Sequence, residues 1–237
     1  MANPGPERLS SSLVSLRRVA RVYTRGPTEV AALADVSLEV REGEKLAIMG
    51  PSGSGKSTLL AILGCLDRPT RGEHLFEGTS VAELDDDTLS RLRNRAIGFV
   101  FQSFHLLPHL SVAENVETPM QYGELPVGEW RPRALHALER VGLAERADHR
   151  PSELSGGEAQ RAAIARALVV EPRMLLADEP TGNLDSTTGG EIAALLDELH
   201  AQGSTIVLVT HNESLARRAE RLVTLRDGRI EGEERLS

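Results

Sequence analysis

Gly50-Pro51-Ser52-Gly53-Ser54-Gly55-Lys56-Ser57-Thr58 fits G-x-x-x-x-G-K-[ST], the pattern of a phosphate-binding loop. The residues before it, Lys45-Leu46-Ala47-Ile48-Met49, read as a strand, and those from Thr58 to Leu63 read as a helix. That is the context the pattern needs. Glycines let successive backbone N–H groups turn inward around phosphate oxygens, and the helix N-terminus adds partial positive charge. Lys56 would reach the outer phosphates and Ser57 would set its hydroxyl on Mg²⁺. The chain holds only two lysines, Lys45 and Lys56, against 25 arginines. A compact ammonium on a flexible stem fits inside such a loop where a planar guanidinium fits poorly.

The totals bound what surrounds this loop. A chain of 237 residues forms one large domain or two small ones. Its formal charge of −8 argues against general nucleic-acid affinity, so an anionic ligand must be held by local geometry. A single cysteine, Cys65, rules out an internal disulfide and reads as buried packing. No apolar run approaches the roughly 18 residues needed to span a membrane. The start lacks the apolar core of a signal peptide, and residues 1–12 read as a loose tail.

Upstream of the loop, residues 13–23 alternate as a strand ending at Tyr23, and Pro27 marks a turn. Val30-Ala31-Ala32-Leu33 and Val36 to Val40 read as two further short strands, and Arg41-Glu42-Gly43-Glu44 as the turn into the strand before the loop. A small antiparallel β-layer thus precedes an α/β core. Tyr23 on its own reads as a core or strand-end residue; the other reading is a ring that stacks on a base.

Downstream, His74-Leu75-Phe76 is a short strand and Leu84 to Arg95 a charged helix, acidic at its start and basic at its end as the helix dipole favours. Ile97 to Phe101 is a buried strand ending at Gln102, whose amide would point toward a ligand crevice. Ser103 to Ser111 forms a loop unusually rich in apolar side chains, which either folds inward or faces a partner. Val112 to Tyr122 and Val127 to Val141 read as helical, broken at Pro119 and Pro126, with Trp130 as an anchor. Ser155-Gly156-Gly157 stands where another helix begins, a second place suited to an anion. Met174 to Glu179 is an apolar strand ending in two carboxylates: Asp178 would hold Mg²⁺ and Glu179 would orient or deprotonate an attacking water. Pro180 to Asp185 is a loop, Thr187 to His200 a helix, and Thr205 to Thr210 a fully buried strand that ends at His211. Glu213 to Arg221 reads as helical, and Leu222 to Leu225 and Arg229 to Glu231 as closing strands around Asp227-Gly228.

This order of motifs resembles one family, the ATP-binding cassette (ABC) ATPases, over about residues 13–232. Leu154-Ser155-Gly156-Gly157-Glu158 is similar to the family's signature. Tyr23 matches its adenine-stacking aromatic, Gln102 its Q-loop glutamine, Asp178 and Glu179 its metal-holding aspartate and catalytic glutamate, Leu184-Asp185 its D-loop and His211 its switch histidine. Gly50 to Gly64, Phe101 to Pro108 and Ala177 to Asp185 resemble the lipoprotein-releasing and macrolide-export branch, although a cell-division cassette shares much of this. One departure is Glu158, where many cassettes carry glutamine.

The resemblance implies an α/β P-loop fold over residues 13–237, with a RecA-like core, an N-terminal antiparallel β-subdomain and an inserted helical subdomain at about 103–165. It implies ATP and Mg²⁺ as ligands. Nucleotide contacts fall to Tyr23, the loop from Gly50 to Thr58, Gln102, Ser155, Gly156, Gly157, Glu158 and Asp185; the metal to Ser57, Gln102 and Asp178; catalysis to Glu179, His211 and Lys56. Two copies of the chain would sandwich two ATP, each between one copy's loop and the other's signature. The implied partners are separate membrane permease subunits, with Ser103 to Ser111 beside their docking helix, and the implied place is the cytoplasmic face of the cell membrane. The implied task is export or extraction of lipoprotein, peptide or drug; a cell-division regulator that transports nothing is the alternative. A soluble cassette acting on DNA or in translation is disfavoured by the acidic charge and the single cassette.

Overall fold

In the computed structural model, which describes residues 12–26 and 28–236, two sheets divide the chain. The turn expected at Pro27 and the tail expected before residue 12 lie outside the described residues, and Ser12 already belongs to a strand. The first sheet is antiparallel, in the order β2-β1-β4-β5, built from β1 (Ser12–Arg25), β2 (Thr28–Arg41), β4 (Arg71–Phe76) and β5 (Thr79–Ser80). The two short strands expected at Val30 to Val40 are one strand, β2. Its register with β1 passes from Leu16–Leu38 to Val19–Val36 to Arg21–Leu33, so one extra residue in β1 is answered by one in β2. Arg18 and Asp35 take positive φ, 50° and 65°, at these bulges. A polar Asp35 between apolar runs therefore marks a bend in a continuous strand and not a turn.

The second sheet has the order β10-β9-β3-β8-β7-β6, with β3 (Lys45–Met49), β6 (Ile97–Phe101), β7 (Met174–Asp178), β8 (Thr205–Val209), β9 (Arg221–Arg226) and β10 (Arg229–Arg235). All but the edge strand β10 run parallel. Every residue of β8 is buried, the burial expected of a strand covered on both faces. Lys45 is 1% exposed and ion-paired with Asp197, which also takes Arg218, so this lysine is part of the core's wall.

Helices α1 (Lys56–Leu63), α2 (Asp86–Ala96), α5 (Gly156–Leu168), α6 (Ser186–Ala201) and α7 (Glu213–Ala216) pack on this sheet, and α3 (Val112–Glu117) and α4 (Val127–Arg140) pack on α5. Asp85 caps α2 by accepting from the Thr88 N–H at 2.7 Å, and Asp86 and Asp87 follow in the first turn, so this acidic run serves the helix start. After α3 the chain tightens to a 3-10 turn over Thr118–Tyr122, where Pro119 removes a donor. The helix expected to run to Arg221 stops at Ala216. Glu220 N–H donates to the Lys45 carbonyl at 2.9 Å, so the chain has already turned onto β3. Cys65 is buried, which pushes its thiol up to about 12.

Candidate active site

The registers of the parallel strands assemble the site. Phe101 pairs with Asp178, Asp178 with Val209, and Val209 with Ile48, so these four positions form one row across the sheet. Just beyond that row, Gln102, Glu179, Thr210 with His211, and the loop opening at Gly50 meet at the same C-terminal edge. This edge is where parallel α/β sheets bind ligands.

The phosphate-binding loop links β3 to α1. Gly55 sits at φ 102°, and a Cβ there would lie 2.4 Å from the Ala32 carbonyl oxygen of β2, so the turn is confined to glycine. Lys56 Nζ donates to the carbonyls of Gly50 and Pro51, both at 2.8 Å, folding the ammonium across the loop mouth. Pro51, Ser52, Gly53 and Ser57 are exposed, Thr58 is half-buried, and Ser54 is buried with its hydroxyl unpartnered. The helix start has no side-chain cap, so its first amides stay available.

Asp178 ends β7 half-buried, and burial first, then the Glu179 charge, raise its carboxyl above the usual range, against the pull of Lys56. Its carboxylate makes no hydrogen bond among the described residues. Glu179 takes a positive φ of 47°, an uncommon conformation for this residue type. Its carboxylate accepts from Thr210 Oγ1 at 3.1 Å and from His211 Nδ1 at 2.7 Å, and its backbone N–H donates to the Val209 carbonyl. Gln102 and Asn183 clasp each other: Gln102 Nε2 donates to Asn183 Oδ1, and Asn183 Nδ2 to the Gln102 carbonyl, each at 3.0 Å.

Tyr23 lies near the end of β1. Its hydroxyl donates to Asp67 at 2.7 Å, and the Arg21 guanidinium covers one ring face at 4.5 Å from the centroid while also bonding Asp67. It is neither core nor free: 36% of it is exposed. Its register partner Val30 is two residues from Ala32, the neighbour of Gly55.

The signature forms a separate helix mouth. Ser155 caps α5, with Glu158 closing a reciprocal capping box. A Cβ on Gly157 would meet Thr188 Cγ2 at 2.4 Å, and one on Gly156 would meet Leu184 at 3.2 Å, so α5 abuts the start of α6. Asp185 caps α6, accepting from the Thr187 and Thr188 N–H groups and from the Thr188 hydroxyl. The structure therefore gathers Lys56, Asp178, Glu179, His211 and Gln102 at one sheet edge, and packs Ser155 to Glu158 against the start of α6, which Asp185 caps.

Four residues of the site escape sequence reasoning. Thr210 and Asn183 stand inside stretches that draw attention to other residues. Gln160, fully buried, donates to the Pro180 carbonyl at 2.8 Å and braces the turn after Glu179. Arg146 bonds Glu158 across a segment broken into two 3-10 turns, where no spacing rule would find it.

The described residues hold no cluster of three or more His, Cys, Asp or Glu able to take a metal. One carboxylate, a serine hydroxyl and an amide oxygen instead make the sparse set that suits Mg²⁺ completed by phosphate oxygens and water. A parallel sheet with a phosphate loop, an acid pair and a histidine on one edge defines a P-loop nucleotide hydrolase. The model of the family described as ABC transporter matches residues 33–182, and this chain belongs to that family. It binds and hydrolyses ATP. An ABC transporter ATP-binding protein of Thermotoga maritima, uncharacterised, is 55% identical over 94% of this chain and 95% of its own. The macrolide export protein MacB of Hyphomonas neptunium is 50% identical over 94% of this chain, which spans only 34% of that protein. Pyoverdine export protein PvdT of Pseudomonas fluorescens is 51% identical, with 34% of its length covered. Among solved structures, the dimeric ATP-binding cassette MJ0796 in a post-hydrolysis state with ADP and Pi has a TM-score of 0.86 at 48% identity, covering 94% of this chain and 99% of that one.

Proposed function

We propose that this chain is the ATP-driven subunit of an export machine, pairing with a second copy of itself around two ATP and acting on separate membrane permease subunits. The observation that carries this is the division of the site. One sheet edge holds Lys56, Asp178, Glu179 and His211, while the second anion-receptive mouth, at Ser155, is built by α5 packed on the start of α6. A second copy supplies the mouth that the first cannot bring to its own nucleotide.

In this reading Tyr23 stacks on adenine, and the amides from Pro51 to Thr58 cradle the phosphates. Lys56 exchanges its two carbonyl partners for phosphate oxygens. Ser57, Gln102 and Asp178 would hold Mg²⁺, which would neutralise charge on the outer phosphates. Glu179 orients the attacking water and accepts its proton; Thr210 and His211 fix that carboxylate. Ser155, Gly156 and Gly157 of the opposite copy meet the γ-phosphate, with Glu158 and Asp185 shaping that mouth. Nucleotide that bridges both chains shifts the population to the closed dimer, and hydrolysis releases it.

For the membrane partner, a groove of about 610 Å³ between β6 and α5 is lined by Leu66, Phe99, Phe101, His105 and Tyr122. Arg166 holds its rim by donating to the Phe104 and His105 carbonyls. Leu66 and Tyr122 are 55% and 78% exposed, more than a free surface favours. No helix among the described residues is long and apolar enough to cross a membrane. The chain would then sit on the cytoplasmic face through its permease, in one domain over 13–237 whose helical portion, about 103–165, carries the signature. Lipoprotein, peptide or drug is the cargo this branch suggests.

Glu179→Gln tests the reading. It should keep ATP binding, cut turnover by about a hundredfold or more, and accumulate a dimer in Mg-ATP by light scattering. A variant that remains monomeric at saturating Mg-ATP would overturn the shared site.

A further inference from the structure

The signature mouth carries its own anion. Glu158 Oε2 accepts from the Ser155 N–H at 2.8 Å, and Ser155 Oγ accepts from the Glu158 N–H at 3.3 Å. These bonds stabilise the start of α5, as does a negative charge in a helix's first turn. Yet the same positive helix end is the feature that would attract a γ-phosphate. Ser155 hydrogen bonds hold the Glu158 carboxyl below its ordinary range, so at neutral pH the charge is present. Two anions then compete for one mouth.

Arg146 resolves the competition. It closes the 3-10 turn Ala144–Arg146, and its Nε donates to Glu158 Oε1 at 3.0 Å, the oxygen that the cap leaves unused. The side chains are 45% and 26% exposed, so the pair is partly sheltered at the edge of the mouth. His149 Nε2 lies 3.1 Å from Arg146 Nη1 on the far side.

We propose that Arg146 is a positioning residue of the shared ATP site: by neutralising Glu158 it lets the Gly156 and Gly157 amides receive the phosphate of an ATP held by the opposite copy. Glu158 serves as helix cap and Arg146 removes its electrostatic penalty. This rests on the two-copy reading above. It separates from a merely structural role, in which Arg146 ties its turn to α5, because only the electrostatic role is cured by deleting the opposing charge.

The test uses the full chain in the Glu179→Gln background and reads the Mg-ATP concentration at half-maximal dimerisation by light scattering. Arg146→Ala should raise that midpoint about tenfold, the size expected when two partly exposed charges are left uncompensated in one dimer. Arg146→Gln, which keeps a hydrogen-bonding amide and loses only the charge, should do the same and guards against a folding defect. Adding Glu158→Gln to either should bring the midpoint back to within about twofold, and added salt should narrow the gap before that. An unmoved midpoint, or a shift that Glu158→Gln fails to reverse, overturns the role of Arg146. A Glu179→Gln protein that does not dimerise with Arg146 in place overturns the two-copy reading, and this role falls with it.

Discussion

The two helix mouths of this molecule solve one physical problem in opposite ways. At α1 the chain enters through Gly55 at φ 102°, with no side-chain cap and no acid in the first turn, and a lysine opens the helix. At α5 it enters through Ser155 in an extended conformation, with a full capping box and Glu158 in the first turn. The first mouth leaves its donors unanswered and is ready for phosphate without help. The second has answered two of its four donors internally, those of Ser155 and Glu158, so the Gly156 and Gly157 amides remain for a ligand. A receptive helix end is costly to leave open, and a stable one is poorly receptive. The molecule keeps one of each, which suits a nucleotide grasped first by the loop and only later by the signature.

The largest effect should come from the receptive mouth. Lys56→Ala removes the single cation there, and we expect ATP affinity to fall by about a hundredfold with no measurable turnover, by titration calorimetry and phosphate release. Unchanged ATPase activity would erase the contrast. Gly157→Ala acts on the other mouth. Thr188 is β-branched and its hydroxyl is bound to Asp185, so it cannot swing away from a new methyl 2.4 Å from its Cγ2. We expect α5 to shift and the Mg-ATP midpoint for dimerisation to rise roughly thirtyfold. ATP affinity of the monomer should fall far less, and equal losses in both would mean the mouths are not separable.

The smallest effect is in acid. Glu158 is held below its ordinary range by Ser155, so its contribution is present above the unfolded value and is lost as pH falls through the depressed folded one. Glu158→Ala should lower Tm by about 2 °C at neutral pH, and the gap should close below the usual carboxylate range of about 4. Nothing in the first turn of α1 titrates in this way, so a gap that persists in strong acid would show that Glu158 acts through packing.

Legibility follows the range of the interactions. β3 is legible from Lys45 to Met49 as it stands, because its apolar run, its glycine-rich exit and the helix after it are covalent neighbours. β2 reads as two strands in the sequence, since a bulge at Asp35 and a turn look alike until the partner strand supplies a matching bulge. α7 reads too long, because only the distant Lys45 carbonyl shows where Glu220 must go. The acids and the histidine are legible as strand ends. Their convergence is not: His211 to Glu179 spans 32 positions and Gln102 to Asn183 spans 81, and strand order alone brings them together. Arg146 leaves no periodic trace at all. The signature draws notice only as a capped glycine pair, and its significance comes from resemblance and not from spacing.

The scarcity of lysine has a practical side. Of the two in the chain, Lys45 is 1% exposed and locked to Asp197, while Lys56 lies in the phosphate loop. An amine-directed reagent that modifies a lysine side chain of the folded protein therefore reports on the loop between β3 and α1, where the ammonium rests on the Gly50 and Pro51 carbonyls, and on little else. The protein carries a native chemical probe confined to one residue, with no engineered label and no competing surface lysine.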